Sequence, residues 1–506
     1  MKSMQESILI GLDIGSMSTK GVLLSTDGGI LAEAAQEYGI LQRQPGWMEQ
    51  DPDGDWWQST AAVIRSLLNQ ANRPPSQVAA ICISGHFPSI CLLDAEDRTL
   101  APAMLYSDSR GGQLLAEAQQ MVGIPLNGDE AILKLLWLRS QQLKLLRQTR
   151  RLCSTQGYVV YRLTGNNYID YKTAAGFGGL WDADNADWKW DICRELQIAD
   201  AAFPQVDSPV ALAGRIRSQA AQEVGLAEGT PVMVGAPDTY AALLGHGALY
   251  AGEAFVSYGT TGYMAICKHN LVDMLHDPTL AGPGSPWFLG GYVLTVGAAL
   301  NWYHEQFGLG YDARPDAAAY EQLDERCSQL MPGCEGLLAL PYFQGQRTPK
   351  VDSHARGAFF GLTLSHTSLH LYRALLESYG FALQHWLKEL MPQLTICRLI
   401  AGGQGAKSRL WRQVVSDILA IPQVYNPTPG SPLGSAFLAG YGVGAFRDFG
   451  AWRDLWFAQP AVTQPNAAAV ATYERLFPVY AQLSESLDPL QSQLYQALTS
   501  DVSHGK

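Results

Sequence analysis

Four short stretches of this 506-residue sequence hold side chains whose types and spacing could do chemistry. Asp13 stands near the end of an apolar run, ILIGLDI, and Gly15, Ser16, Ser18, Thr19 and Lys20 follow at once. A carboxylate is costly to bury without a partner. Such a turn presents backbone N–H groups, the hydroxyls of Ser16 and Thr19, and the Lys20 ammonium to phosphate oxygens, while Asp13 faces Mg²⁺ through water. A β-turn with a capping Asp accounts for the same residues. A second turn, Ser257-Tyr258-Gly259-Thr260-Thr261-Gly262, offers donors from Gly259, Thr260 and Thr261 that could clamp a polyphosphate from the other side; a plain turn is the alternative. Asp238, in GAPDTYAALLGHGAL, falls at a strand-to-helix junction. Its commonest job there is a helix N-cap; its sharper one is a general base that takes a proton from a hydroxyl attacking phosphorus. In LIAGGQGAKSRLW, Gly402 and Gly403 let a flat ring lie close on the backbone.

Other candidates carry less. No GxxxxGK[ST] loop and no GxGxxG in a βαβ setting occurs, so neither a Walker site nor a Rossmann dehydrogenase is supported. His366 and His370 could share a helix face but lack a third ligand for zinc. Trp47, Trp56 and Trp57 could form a sugar-stacking platform, although tryptophan is more often partly buried packing.

These residues need elements to hold them. Residues 8–38 read as successive antiparallel strands with Gly/Ser/Thr and TDGG turns, and 254–268 repeats the pattern half a chain later. Between them lie helical stretches at 55–71 and 130–149 and a strand, QVAAICISG. The mix is α/β, and the repeated hairpin points to two similar domains, 1–250 and 251–506. From about residue 450 the apolar residues fall three and four apart, as in a packing helix, and the terminal SDVSHGK is expected to fray.

Bulk composition agrees. With 47% hydrophobic and 16% charged residues the chain can bury large cores and exceeds one ordinary domain. A net charge of -12 without a basic run argues against nucleic acid or an anionic membrane surface as partner. An anionic ligand must therefore be met by local N–H groups, a metal or a few cations. Eight cysteines without a CxxC pair read as reduced thiols of a cytoplasmic protein, and no run approaches the roughly 18 apolar residues of a membrane span.

Taken together, the chain resembles the FGGY family of carbohydrate kinases, and within it the xylulokinases, from about residue 8 to 445. The most specific stretch is 357–377, where Gly357, Phe359, Gly361, Leu362, His370, Leu371, Ala374 and Glu377 fit the family's second signature. LPYFQGQRTP looks like a segment usually containing GERTP, with Gln346 replacing Glu; WMEQDPDGDWW and KLLW also match. The first signature departs at Ala131, where a small polar residue or proline is usual. The resemblance implies two actin-like, ribonuclease-H-type domains closing on ATP and sugar at a catalytic cleft, with a helical C-terminal extension. It also implies Asp238 as catalytic base and Asp13 as the carboxylate associated with Mg²⁺. Ser16–Lys20 and Gly259–Thr261 match the two phosphate-binding hairpins, and Gly402–Gly403 the adenosine-binding turn, here one residue longer than the usual GGGAKS.

At the sugar end the match weakens. His86-Phe87-Pro88-Ser89 replaces the usual QMHG, and Thr239 stands where xylulokinases have Asn, while Asp108 and Arg110 in YSDSR match the family's NDxR. His86, Phe87, Asp108, Asp238 and Thr239 are thus the expected substrate contacts. D-xylulose is the implied substrate; another ketose, a polyol or an aldonate is the alternative. An actin- or Hsp70-like ATPase and a non-catalytic sugar sensor are more remote. The expected partner is a small sugar, with a homodimer as the assembly.

Overall fold

The chain forms two compact units. The first comprises Met1–Leu249, His269–Trp287 and Thr428–Ala458; the second comprises Tyr250–Lys268, Phe288–Pro427 and Gln459–Lys506. The computed structural model describes residues 7–281, 288–307, 317–457 and 459–500, so the terminal SDVSHGK lies almost wholly outside the described residues.

In the first unit, β1 (Ile8–Ile14) is buried along its whole length, as its largely apolar run requires of a central strand. It pairs antiparallel with β2 (Ser18–Ser25), which pairs antiparallel with β3 (Ile30–Glu37). The helix α1 (Ser59–Ala71) follows, and then β4 (Val78–Gly85), parallel to β1 on its other side. The strands β5 (Leu212–Arg215) and β6 (Pro231–Met233) complete the order β5-β6-β4-β1-β2-β3, and a two-residue strand, β7 (Ala236–Pro237), also runs parallel to β4.

The second unit repeats this plan. The strands β8 (Glu253–Tyr258), β9 (Gly262–Cys267) and β10 (Phe288–Val293) form an antiparallel set, and β11 (Arg398–Gly402) lies parallel to β8. With β12 (Gln423–Tyr425) and β13 (Ala461–Thr463) the order is β10-β9-β8-β11-β12-β13. Each sheet is thus an antiparallel triplet, two parallel strands and an antiparallel edge. That is the duplication the two hairpins suggested.

The segment boundaries differ from the expected single division near residue 250. The helix Ser431–Gly442 belongs with the first unit although it comes late in the chain. Pro432 through Gly440 are all buried, so the helix needs cover on every side. One such cover is β1. A Cβ on Gly11 would stand 2.0 Å from the Pro432 carbonyl oxygen, so only glycine allows this approach. The helical pattern beyond residue 450 also divides. Phe449–Trp456 stays with the first unit, β13 closes the second sheet, and the helix Ala467–Ser500 packs on the second unit's core. The expected helix at 55–71 opens with a wider π-type turn, Pro52–Gln58, and that at 130–149 breaks at Gln142.

Candidate active site

Strand alternation decides which side chains reach the site. Asp13 and Gly11 share the face of β1 covered by the helix Ser431–Gly442, whereas Leu12 and Ile14 face the core beneath α1. Asp13 lies opposite Lys20 on β2 and Ser84 on β4. The Ser84 hydroxyl donates to Asp13 Oδ1 at 2.7 Å. Burial raises the Asp13 pKa above 3.8, opposed by the Ser84 hydrogen bond and the positive charge of Lys20. The Lys20 ammonium is solvent-exposed.

The third parallel strand end brings in Asp238. Ala236 and Pro237 pair with Ser84 and Gly85, and α2 (Asp238–His246) starts directly after them. Gly235 makes this crossing possible: its φ is +87°, and a Cβ there would sit 2.1 Å from the Ile83 carbonyl oxygen. Asp13 and Asp238 therefore project from the ends of strands β1 and β7, which flank β4, with backbones about 10 Å apart at two strand spacings. Asp238 is the first helical residue and not the cap, which is Pro237. Its Oδ1 accepts from the Thr239 N–H at 2.6 Å and from the Thr239 hydroxyl at 3.2 Å. Burial first, and then the charge of Asp13, push its pKa up to about 7. The helix Ser431–Gly442 braces α2: Ser431 Oγ donates to the Asp238 carbonyl at 3.2 Å, and Gly434 and Gly245 permit backbone contact.

Two carboxylates held at strand ends with raised pKa values form a locally negative site. Asp13 uses Oδ1 for Ser84, and among the described residues nothing donates to Oδ2. A free carboxylate oxygen beside a second acid suits a hard, oxygen-seeking dication such as Mg²⁺.

The remaining predicted residues are distributed unevenly. Ser16 and Lys20 lie on the exposed side of the first hairpin, but Thr19 is fully buried on the opposite face, its hydroxyl 2.7 Å from Ser59 Oγ. Thr19 pairs with Ile14, not Asp13, and one step along a strand reverses the face. In the second unit, Thr260 and Thr261 are exposed in the turn between β8 and β9, and Gly297 N–H donates to the Gly259 carbonyl at 3.0 Å. Gly402 pairs with Ser257, and Gly403, at φ +89°, passes close to the Tyr258 carbonyl.

The expected sugar contacts are largely internal. His86 is buried, its Nδ1 2.8 Å from Ser89 Oγ and its Nε2 3.2 Å from Gln50 Oε1; burial drives its pKa down to about 3. Asp108 is buried as well, accepting from Met48 N–H at 2.8 Å and from Arg110, whose guanidinium also meets Glu49 and lies 3.8 Å from the centre of a Trp47 ring. Phe87 is half-buried, its ring against Gly176. Trp56 and Trp57 are buried and serve as packing, while Trp47 is half-buried. His366 and His370 each accept, at Nδ1, a backbone N–H three residues earlier, and both serve turn and helix-start geometry. Sequence reasoning missed Ser84 and Tyr106. Ser84 is a polar residue at the end of an otherwise apolar strand, which was a usable signal; Tyr106 is exposed beside His86, ring centres 5.9 Å apart.

Comparison with known proteins bears on the family and the fold. The FGGY family of carbohydrate kinases matches through its N-terminal domain over residues 8–245 and its C-terminal domain over 254–443. A xylulose kinase of Escherichia coli (strain K12) is 31% identical over 449 residues, covering 85% of this chain and 89% of the relative. The chain belongs to the FGGY family of carbohydrate kinases. Its fold is the family's two-domain, actin-like type. Among solved structures, ligand-bound xylulose kinase from Lactobacillus acidophilus superposes with a TM-score of 0.84 at 25% identity, covering 96% of this chain and all of that one. Gluconate kinase from the same organism gives 0.83 at 26% identity, covering 95% and 98%. FGGY kinases are ATP-dependent sugar phosphotransferases. No described helix is long and apolar enough to cross a membrane.

Proposed function

We propose that this FGGY kinase transfers the γ-phosphoryl group of ATP to D-xylulose, giving D-xylulose 5-phosphate, with Asp238 as the general base. The observation that carries the reading is the pairing of Asp238, its pKa pushed up to about 7, with Asp13 at the ends of the two strands that flank β4. A carboxylate of that basicity accepts a proton from an attacking hydroxyl more readily than an ordinary Asp does. The sugar oxygen forms its bond to the γ-phosphorus as the bond to the β-phosphate oxygen breaks, and the hydroxyl proton passes to Asp238. Mg²⁺, held near Asp13 through water, would neutralise charge on the phosphoryl oxygens. Thr239 donates to Asp238 and orients it.

We assign polyphosphate binding to the backbone of Ser16–Lys20 with the Ser16 and Lys20 side chains, and to Gly259, Thr260 and Thr261. Gly402 and Gly403 take the adenosine. Phe87 and Thr239 line the sugar site directly, and His86 and Asp108 shape it from within. The similarity to xylulose kinases supports D-xylulose. The equal likeness to a gluconate kinase favours an aldonate as the second reading. All eight cysteines are free thiols, which suits the reducing cytoplasm. A homodimer is the proposed assembly.

The test is a coupled ADP-release assay over pentuloses, hexuloses, polyols and aldonates. Strong release with D-xylulose supports the assignment. No release with D-xylulose beside strong release with gluconate or another member overturns the sugar choice.

A further inference from the structure

The turn of the first hairpin is held by two side chains that the mechanism does not use. Tyr38 donates from its hydroxyl to the Gly15 carbonyl at 2.7 Å, and Gln50 donates from Nε2 to the Ser16 carbonyl at 2.7 Å. Gln50 is fully buried. Its Oε1 accepts from Trp56 Nε1 at 2.9 Å and lies 3.2 Å from His86 Nε2. The indole N–H of Trp56 can only donate, which fixes the amide, so its nitrogen must be the atom that faces Ser16. His86 is fixed in turn. Its Nδ1 lies 2.8 Å from Ser89 Oγ and 3.2 Å from Thr155 Oγ1, which hold the ring against Gln50.

Across a trans peptide the carbonyl and the next N–H point in opposite directions. Both peptides of this turn are trans. Anchoring the Gly15 carbonyl therefore turns the Ser16 N–H away from Tyr38, and anchoring the Ser16 carbonyl turns the Met17 N–H away from Gln50. Among the described residues neither N–H donates to an acceptor, and Met17 is exposed. Successive outward N–H groups of this kind make an anion-binding concavity.

We infer that Tyr38 and Gln50 are positioning residues that aim the Ser16 and Met17 amides at the terminal phosphates of ATP, and that Gln50 ties this aim to the His86 segment. The inference rests on the proposed role of this hairpin in holding polyphosphate. Neither residue touches the nucleotide. Each acts by fixing a carbonyl whose release would let its peptide rotate.

Two variants isolate the effect. Tyr38→Phe removes one hydroxyl from a half-buried ring. Gln50→Glu keeps an acceptor for Trp56 but cannot donate, when ionised, to the Ser16 carbonyl or to the Gly39 carbonyl, 3.3 Å from Nε2. Equilibrium binding of MgATP and of AMP to the full chain reads the result without turnover. Affinity for MgATP should fall about ten-fold in each variant, the size of one lost hydrogen bond to a charged partner, while affinity for AMP stays within two-fold. Unchanged MgATP affinity in Tyr38→Phe, or an equal loss for MgATP and AMP, overturns the positioning role. Failure of the wild-type chain to bind MgATP would instead remove the proposed function on which the inference rests.

Discussion

Replacing Asp238 by Asn should stabilise the protein in a way that grows with pH. The folded carboxyl has its pKa pushed from 3.8 up to about 7, so the native state favours the protonated form. Below pH 3.8 both folded and unfolded states are protonated, and the carboxyl costs nothing. As pH rises the unfolded chain ionises first, stability is lost, and the loss is complete above about pH 7. About three units at roughly 1.36 kcal/mol each set a ceiling near ~4 kcal/mol. Partial exposure of Asp238 reduces this to about 2 kcal/mol. Asn keeps the shape and the acceptor for the Thr239 N–H but does not titrate. Thermal melts of both proteins at pH 5 and pH 8 should show the Asn variant gaining about 1–2 kcal/mol on the wild type, or about 1–2 °C for each kcal/mol. A difference that stays constant with pH, or a wild type that gains on the variant as pH rises, would refute the argument that Asp238 is held against ionisation.

Three further outcomes follow from contacts elsewhere in the two units. Ser84→Ala removes the donor to Asp13 Oδ1, a hydrogen bond to a charged group worth about 1.5–3 kcal/mol, and should raise the Mg²⁺ concentration for half-maximal rate at least ten-fold; a titration of rate against Mg²⁺ measures it. Gly245→Ala places a Cβ 1.9 Å from the Gly430 carbonyl oxygen and should cost about 1–3 kcal/mol by displacing the brace from α2, visible in urea unfolding. Arg373→Met strands the buried Glu377 carboxylate, now bonded to Arg373 Nε at 2.9 Å and to the Tyr473 hydroxyl at 2.8 Å. Unfolding of the second unit should then ease by about 3–5 kcal/mol.

Much of this site could be read from residue order. The run ILIGLDI and the polar turn after it read as a strand running into a turn, which places Asp13 at a boundary. Gly235 and Pro237 marked the strand-to-helix junction that carries Asp238. Thr19 shows the limit. Its type and spacing suit phosphate, but the hairpin register pairs it with Ile14 and sends it to the opposite face. A one-residue shift in turn length would reverse that, and composition does not encode it. His86 and Asp108 were candidates by position, yet their partners Gln50, Ser89 and Met48 come from elsewhere in the fold. The 357–377 signature identified the family, but His370 and Glu377 within it have structural work: one sets the start of a helix, the other joins that helix to the C-terminal one. The return of Ser431–Gly442 to the first unit rests on contacts hundreds of residues apart, at glycines no local pattern distinguishes.

The central claim is that Asp238 takes the proton as the γ-phosphoryl group moves to the sugar. Single-turnover transfer from MgATP to the sugar selected by the substrate panel, comparing wild type with Asp238→Asn, tests it most directly. The account predicts a rate constant lower by about 10²–10⁴ in the variant with MgATP binding retained, and a wild-type rate that falls as pH drops through about 7. An Asp238→Asn enzyme that transfers at the wild-type rate would contradict it.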